Sequence, residues 1–338
     1  MSISLFDCRR VALPAHSGVS SKPIELNRRQ QMRLAMLGLG RMGGNMARRL
    51  AAGGIEVVGW NRSRETADAL AAEWDRISAA GTMAEAVEAL TPPRVVWSML
   101  PAGEATEAAL MELTRHLEPG DIVVDGGNAD YRESLDHGRL LGDSGIEFID
   151  AGVSGGVWGR EEGYCLMVGG TEAAVGRLEP ALRVLAPAPD RGWARVGPVG
   201  AGHFTKMVHN GVEYGMMQAF AEGFDLLERK EAFAIDPGQV AELWRHGSVV
   251  RSWLLDLMAD FLGEDARLDD IAPWVADSGE GRWTVREAVD SGVPAPVLTA
   301  ALYARFQSQD ERGYQARLLA RLRQAFGGHA VRQGGEAE

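Results

Sequence analysis

From residue 33 to about residue 196, short apolar runs alternate with segments of helical periodicity, and this alternation restricts the fold more than any other feature. It predicts parallel strands joined by right-handed crossover helices, which together form an α/β, doubly wound sheet. The apolar runs that predict strands are residues 33–37, 55–60, 95–99, 121–125 and 146–150, with 163–168 and 193–196 extending the sheet. The segments that predict helices between them are 44–52, 64–74, 104–116 and 131–143.

A Pro- and Gly-rich stretch, residues 186–202, ends this pattern, and every periodic segment beyond it is helical. We therefore predict an α/β domain over 32–200, an all-α domain over 201–332 and a tail over 333–338. Residues 1–31 carry five basic residues against two acidic ones and keep no regular period, which could suit a targeting segment but lacks the apolar stretch of a secretory signal. We therefore predict a disordered leader or an upstream start. The predicted C-terminal helices are 203–229, one after the Asp236-Pro237 cap, one opened by a capping box of Thr284 and Glu287, 296–307 and 314–326.

Composition and charge exclude several classes of protein. Hydrophobic residues make up 46% of the 338 and charged residues 24%, which is typical of a globular chain. No apolar run approaches the roughly 18 residues of a membrane-spanning helix, and the net charge of −12 argues against nucleic acid or an anionic membrane as a partner. The two cysteines, Cys8 and Cys165, are too few for a disulfide framework or a cysteine-based zinc site, which favours a reducing, cytoplasmic location. We also expect no metal, because a protonated lysine can polarise a keto group in its place.

A glycine motif follows the first predicted strand and opens a helix. It reads Gly38-Leu39-Gly40-Arg41-Met42-Gly43, in which the glycines allow a tight turn and close approach to a pyrophosphate at the helix N-terminus. This strand–turn–helix context predicts a Rossmann-type dinucleotide site.

The second strand ends in Asn61-Arg62-Ser63-Arg64, where an NAD enzyme usually has an acid that binds the ribose 2′-hydroxyl. No carboxylate is expected here to repel a 2′-phosphate, and two guanidiniums can neutralise one. The motif therefore favours NADP over NAD. The alternative is that Ser63 only caps a surface helix and that both arginines are solvated.

Three sequences with small residues fall where strands end, which is where ligands bind to such sheets. They are Leu100-Pro101-Ala102-Gly103, Asp125-Gly126-Gly127-Asn128 and Gly152-Val153-Ser154-Gly155-Gly156. The second and third also carry side chains that can form hydrogen bonds, namely Asp125, Asn128 and Ser154. We expect these loops to contact the cofactor and the substrate.

The most specific pattern lies on the helix predicted over 203–229. Only three of 35 basic residues are lysines, and one of them begins a polar stripe of Lys206, His209, Asn210, Glu213 and Tyr214 at helical spacing. The other faces are apolar or small, so we expect the helix to be largely enclosed. An amine that burial can neutralise and an acid about 10 Å along the axis suit an oxidation followed by a second step.

These motifs resemble the 6-phosphogluconate dehydrogenase family, the decarboxylating enzymes of the pentose phosphate pathway. The resemblance covers residues 33 to about 332 and rests on GLGRMGGNMA, DGGNADYRES, the Ser-Gly-Gly at 154–156, GAGHFTKMVHNGVEYGMMQ and the GRWT at 281–284. Related β-hydroxyacid dehydrogenases share the glycine motif and the lysine, but not DGGN or the Glu-Tyr pair.

The resemblance implies a role for each matching residue. Lys206 matches the base that takes the proton of the substrate 3-hydroxyl, and Glu213 matches the acid that protonates the enediol after CO2 leaves. Arg305 matches an arginine that holds the substrate phosphate, while Arg323 and His329 match a tail that reaches a partner subunit's site, which implies at least a dimer. The implied substrate contacts are Asn128, Ser154, Gly155, Gly156, His209, Asn210 and Tyr214; Asn128 also neighbours the nicotinamide.

Two departures from the family pattern concern length and the phosphate pocket. The chain is similar to the short form of the family, which lacks the second helical half of longer members. Ser278 and Glu280 stand where the family has a lysine and a threonine, so the expected phosphate pocket loses a cation and gains an acid.

The resulting hypothesis is an oxidative decarboxylase that converts 6-phosphogluconate to ribulose 5-phosphate and CO2, preferring NADP but with NAD as an alternative. Two other hypotheses stay open: a β-hydroxyacid dehydrogenase, similar to 3-hydroxyisobutyrate dehydrogenase, that stops at the keto acid, and a nicotinamide-binding regulator without turnover. The sequence also leaves open dimer against tetramer, the role of residues 1–31 and the strictness for 6-phosphogluconate.

Overall fold

A computed structural model describes residues 32–327, 330 and 331, so the leader over 1–31 and the tail over 333–338 lie outside the described residues. The strands are β1 Arg33–Leu37, β2 Glu56–Trp60, β3 Ile77–Ala79, β4 Val95–Ser98, β5 Ile122–Asp125, β6 Glu147–Ser154, β7 Cys165–Gly169 and β8 Trp193–Gly197. The helices are α1 Arg41–Ala52, α2 Arg64–Glu73, α3 Met83–Glu88, α4 Glu104–Leu113, α5 Tyr131–Gly142, α6 Gly159–Glu162, α7 Glu172–Leu185, α8 Ala201–Glu228, α9 Pro237–Arg245, α10 Trp253–Glu264, α11 Glu280–Asp290, α12 Pro296–Ser308 and α13 Tyr314–Gly327. Short 3-10 turns occur at Gly156–Trp158 and Glu231–Phe233.

The eight strands form one sheet in the order β3-β2-β1-β4-β5-β6-β7-β8. The first six strands are parallel, which confirms the predicted doubly wound sheet, and the order reverses between β1 and β4. A crevice at such a reversal point is where ligands bind to this fold. The expectation of parallel strands throughout is wrong for β7, which runs antiparallel to β6, and β8 then follows β7 in parallel.

Alternate side chains of the strands point to opposite faces of the sheet, and each face packs against helices. Leu34 and Met36 of β1 belong to the cluster that also contains residues of α1, α2 and α7. Ala35 and Leu37 of the same strand belong to the cluster on the other face, which includes residues of α3 and α4. Burial on both faces explains why these strands are continuous apolar runs.

The chain after β8 is helical, as predicted, and α8 is its longest element with 28 residues. Asp236 caps α9 by accepting hydrogen bonds from the backbone N–H groups of Gly238 and Gln239, which confirms that cap. The predicted capping box of Thr284 and Glu287 is wrong, because α11 already begins at Glu280 and Thr284 lies inside it. None of the helices in the described part of the chain is long and apolar enough to cross a membrane. The exact domain limits stay a prediction.

Candidate active site

The glycine motif forms the turn between β1 and α1. Gly38 has a φ of +88°, and a Cβ there would lie 2.9 Å from the backbone oxygen of Met99, so only glycine fits without strain. A Cβ on Gly43 would lie 2.0 Å from the carbonyl oxygen of Gly38, which explains how α1 packs so closely on the turn.

Gly40 is the position at which the turn opens outward. A Cβ at Gly40 would meet no atom within 4 Å, and Gly40 caps α1 with no side chain and no acidic residue in the first turn. The free N–H groups of this helix end therefore suit an anion, and the residues present fit the pyrophosphate of a dinucleotide. The exposed Arg41 follows directly.

The end of β2 carries the residues predicted to select the nucleotide. Asn61 accepts a hydrogen bond from the backbone N–H of Leu39 at 3.0 Å, which ties this strand end to the glycine turn. Ser63 donates its hydroxyl to the carboxylate of Glu65 at 2.7 Å, and this hydrogen bond lowers the pKa of Glu65. Residues 61–64 contain no carboxylate, as stated for the sequence, but Glu65 directly after them brings one next to Ser63. Glu65 lies only two residues after Ser63, so this contact could have been predicted from the sequence.

The two arginines at this strand end differ in their contacts. Arg64 pairs with Asp68 at 3.4 Å, so its charge is partly engaged on the surface of α2. Arg62 is exposed, and no ion pair or hydrogen bond of its side chain is recorded among residues 32–327. Arg62 is thus the guanidinium best placed to meet a phosphate.

The loops after β4 and β5 touch each other beside the glycine turn. Leu100, Pro101 and Ala102 follow β4, and the Pro101 carbonyl accepts a hydrogen bond from Thr106 at 2.8 Å, which fixes this loop on α4. A Cβ on Gly127 would lie 2.7 Å from the carbonyl oxygen of Leu100, so the loop after β5 passes directly against it. This close passage brings the following residue, Asn128, to the carboxyl edge of the sheet.

Helix α8 is fastened to the sheet at its first turn. The buried Asp150 of β6 accepts hydrogen bonds from the backbone N–H groups of Gly200 at 2.7 Å and His203 at 2.8 Å. Ser134 of α5 lies 2.7 Å from Nδ1 of His203. These contacts set the rotation of α8, and with it the direction of the polar stripe.

A cleft of about 950 Å³ lies between the end of the sheet and the helical half. All five residues of the polar stripe line it, together with Met42 of the glycine motif and Asn128, Ser154, Gly155, Gly156 and Arg305. Thus the structure brings almost every predicted substrate residue to one cleft, next to the predicted dinucleotide site. The roles assigned to them stay predictions.

Lys206 and Glu213 are linked through His209, which lies between them. Lys206 Nζ is 3.5 Å from His209 Nδ1, and Glu213 Oε2 is 3.8 Å from the same nitrogen. Ser154 Oγ lies 3.3 Å from the other ring nitrogen, and Asn210 Oδ1 lies 3.1 Å from Nδ1. Burial lowers the pKa of Lys206, and the carboxylate of Glu213 opposes this shift.

The other end of the stripe meets α11 and α12. The hydroxyl of the buried Tyr214 lies 3.1 Å from Ser278 Oγ, and the Arg305 guanidinium stacks 3.4 Å from the centre of the Tyr214 ring. Arg305 also donates a hydrogen bond to the carbonyl of Ala276 at 2.8 Å. The stacking holds a positive charge at the cleft, where it can bind an anionic group.

Several lining residues were not predicted as site residues. Glu280, noted only as a departure from the family pattern, is buried and accepts a hydrogen bond from the side-chain amide of Asn128. The other additions are Val153, Val157, Trp158, Val212, Met216, Met217, Ser252, Trp253, Leu254, Leu257 and Ser278. No short spacing could reveal Glu280, because it lies 152 residues from Asn128.

Among the predicted substrate residues that the structure describes, one is not at the cleft. Arg323 is exposed on α13 and does not line it, and His329 lies outside the described residues. The expectation that α8 is largely enclosed is also wrong for this chain alone, since Val208, Val212 and Met216 are 37%, 47% and 39% exposed. Val212 and Met216 also line the cleft, whereas Val208 does not.

Comparison with known proteins agrees with this geometry. Residues 33–196 match the model of the NAD binding domain of 6-phosphogluconate dehydrogenase, and residues 202–329 match that of its C-terminal domain. An NAD(+)-dependent, decarboxylating 6-phosphogluconate dehydrogenase of Haloferax volcanii is 41% identical over 89% of this chain and 98% of its own length. An NADP(+)-dependent, decarboxylating one of Bacillus subtilis is 35% identical over 86% of this chain but only 64% of its own length. The solved Plasmodium falciparum 6-phosphogluconate dehydrogenase has a TM-score of 0.76 at 27% identity, covering 90% of this chain and 67% of that one.

A Rossmann-type sheet with a dinucleotide turn, followed by helices that complete a polar cleft, defines an NAD(P)-binding oxidoreductase. The family models cover nearly the whole described chain, and the Haloferax relative is matched over almost its full length. The chain belongs to the 6-phosphogluconate dehydrogenase family.

Proposed function

We propose that the protein oxidises and decarboxylates 6-phosphogluconate, forming ribulose 5-phosphate and CO2 while reducing NADP. The observation that carries this proposal is the Lys206 amine, whose pKa burial lowers, on the same cleft-facing stripe as Glu213. The substrate is supported by the names of the relatives, and the Plasmodium enzyme was solved with 6-phosphogluconate as its substrate.

In the oxidation, Lys206 acts as the base. A dinucleotide held by its pyrophosphate at the glycine turn would supply a nicotinamide as the acceptor of the hydride from C3 of the substrate. Neutral Lys206 accepts the proton of the 3-hydroxyl at Nζ as the C–H bond breaks, so that the C–O bond becomes a carbonyl. Burial favours the neutral amine before this step, and the nearby imidazole of His209, 3.5 Å from Nζ, orients it.

In the decarboxylation, the roles of the two groups complement each other. The protonated Lys206 donates a hydrogen bond to the new carbonyl oxygen, which receives the electron pair of the carbon–carbon bond as CO2 leaves. Glu213 then gives a proton to the carbon that lost the carboxylate, and the enediol becomes the ketose. One proton is taken by Lys206 and one is given by Glu213, so exchange with water restores both groups.

Binding of the phosphate is assigned to Arg305. Its guanidinium is fixed against Tyr214 and lines the cleft, so a phosphate held there places the sugar acid along the polar stripe. Arg323 and His329 are proposed to act from a second copy of the chain. An exposed apolar strip on α8 supports a homodimer or homotetramer, since exposed apolar patches mark interfaces. It consists of Val208, Val212 and Met216, the last two of which also line the cleft. A cytoplasmic location belongs to the same proposal.

NADP is the proposed cofactor because Arg62 is exposed at the end of β2. The alternative is NAD, which is favoured by the carboxylate of Glu65 next to Ser63 at 2.7 Å and by the NAD(+)-dependent Haloferax relative. A carboxylate can accept a hydrogen bond from a ribose hydroxyl but repels a phosphate.

The test is a stoichiometric assay with purified protein, 6-phosphogluconate and each nucleotide, in which reduced nucleotide and CO2 are measured together. We expect one CO2 for each reduced nucleotide and faster turnover with NADP. Unphosphorylated gluconate is the matched control, and it should react poorly because Arg305 has no phosphate to bind. Reduced nucleotide without CO2 would indicate a β-hydroxyacid dehydrogenase, and nucleotide binding without any reduction would indicate a regulator.

A further inference from the structure

Glu280 is the first residue of α11, and its side chain reaches across the cleft to the sheet half of the molecule. One carboxylate oxygen accepts a hydrogen bond from the side-chain amide of Asn128, which follows β5. The residue is only 6% exposed, and its other oxygen, Oε2, is buried without a hydrogen-bond partner in the described chain. Burying a carboxylate oxygen without a hydrogen-bond partner is costly, so a buried Glu280 needs a reason in the chemistry of the cleft.

Two features stabilise the negative charge of Glu280. The carboxylate lies at the N-terminus of α11, where the helix dipole is positive. Lys206 faces the same cleft and interacts electrostatically with Glu280. The other charged or titratable groups that act on or touch this ammonium are His209 and Glu213 of α8 and Cys165 of β7.

The contact fixes how Asn128 presents its amide. An ionised carboxylate has no hydrogen to donate and acts only as an acceptor. The –NH2 group of Asn128 must therefore face Glu280. Because the amide is planar, the carbonyl oxygen of Asn128 then points away from Glu280. Asn128 itself is exposed and lines the cleft, so this oxygen is available as an acceptor for a ligand there.

We infer that Glu280 is a positioning residue of the proposed reaction: it holds Asn128 with its amide oxygen presented to the cleft and supplies a fixed negative charge opposite Lys206. This inference rests on the proposed function for its kinetic consequence, but the contact itself can be tested without turnover. Glu280 does not touch the reacting atoms in this account, since it acts through Asn128 and through its charge.

Three variants separate positioning from a merely structural role. Glu280→Ala removes the acceptor and the charge, whereas Glu280→Gln keeps an oxygen that can accept from Asn128 and removes only the charge. The matched control is Glu287→Ala, which breaks the bridge between α5 and α11, where Glu287 binds Tyr131 at 2.8 Å and Arg132 at 3.0 Å. That bridge also ties α11 to the sheet half, but through α5 instead of the loop after β5, and its three residues do not line the cleft.

The first measurement is structural and uses the side-chain amide signals of Asn128 in a nitrogen-15 NMR spectrum, assigned by their loss in Asn128→Asp. We expect these signals to shift in Glu280→Ala and to stay close to the wild-type positions in Glu287→Ala. Unchanged signals in Glu280→Ala would overturn the inference whether or not the protein turns over 6-phosphogluconate. An inactive wild-type protein would instead refute the proposed function.

The second measurement is steady-state kinetics over a range of pH. We expect kcat/KM to fall about 10–100-fold in Glu280→Ala, which is the size of loss expected when a substrate-positioning group is displaced. Glu280→Gln should recover most of kcat but move the rise of the pH profile to lower pH, because a negative charge that favours protonated Lys206 is gone. Equal losses in Glu280→Ala and Glu287→Ala, or a Glu280→Gln profile identical to wild type, would overturn the inference.

Discussion

Gly152 of β6 controls the distance between the sheet and the helix that carries Lys206. A Cβ added at Gly152 would lie 2.4 Å from Cβ of Lys206, 3.1 Å from its Cγ and 2.9 Å from the carbonyl oxygen of Gly202. Ordinary carbon–carbon contact needs about 3.5–4.0 Å. The atoms in the way are backbone and the root of a side chain, so rotation of a flexible side chain cannot relieve the clash.

Gly152→Ala must therefore push α8 away from β6 by about 1 Å at Lys206. Overpacking of this size costs about 1–3 kcal/mol of the free energy of unfolding. A displacement of about 1 Å in a catalytic group can reduce the rate about 10²-fold. Hence we expect a lower melting temperature and a kcat that falls much more than the fraction of folded protein.

The assay compares thermal unfolding and kcat in Gly152→Ala with those in Gly176→Ala. Gly176 lies on the exposed side of α7, where an added Cβ meets no atom within 4 Å. In Gly176→Ala the free energy of unfolding should rise by about 0.5–1 kcal/mol, because alanine lowers the entropy of the unfolded chain. Its activity should equal that of the wild type. If Gly152→Ala had wild-type stability and wild-type kcat, the close packing of α8 on β6 would be refuted.

Three further predictions concern the proposed chemistry. Lys206→Arg keeps the charge but removes the base, so hydride transfer should fall by about 10²–10⁴-fold while nucleotide affinity, measured by calorimetry, is unchanged; wild-type turnover would refute the role. Since burial lowers the pKa of Lys206 and the neutral amine is the active form, kcat/KM of the wild-type protein should rise with pH through a midpoint below 10.5, and a midpoint above that value would contradict it. Asn61→Asp combined with Arg62→Ala should raise turnover with NAD relative to NADP, and an unchanged ratio would disprove the assignment.

Most of the sheet could be predicted because its signals are local. β1 is found at residues 33–37 as predicted, since a buried parallel strand is a continuous apolar run. β3 has three residues and α3 has six, which is too short for a period to emerge from the sequence. The antiparallel direction of β7 could have been inferred, because only residues 155–164 separate it from β6. Parallel strands need a crossover of a dozen or more residues.

The candidate site was predictable where its residues share one helix. The stripe from Lys206 to Tyr214 follows the helical period, and the structure places all of it at one cleft. Thr284 was misread because its spacing to Glu287 imitates a cap, whereas its buried hydroxyl donates to the carbonyl of Met207 at 2.8 Å. Contacts of this kind join residues far apart in the chain, and no local pattern encodes them.

The continuity of α8 has a mechanical consequence. At about 1.5 Å per residue, its 28 residues form one continuous helix about 42 Å long. Its N-terminal end is hydrogen-bonded to Asp150 of the sheet. Near its C-terminal end, Phe224 packs in the apolar cluster of the helical half. Because the helix is continuous between these two attachments, it resists bending at the turns that carry Lys206 and Glu213 and keeps the spacing of these two groups fixed.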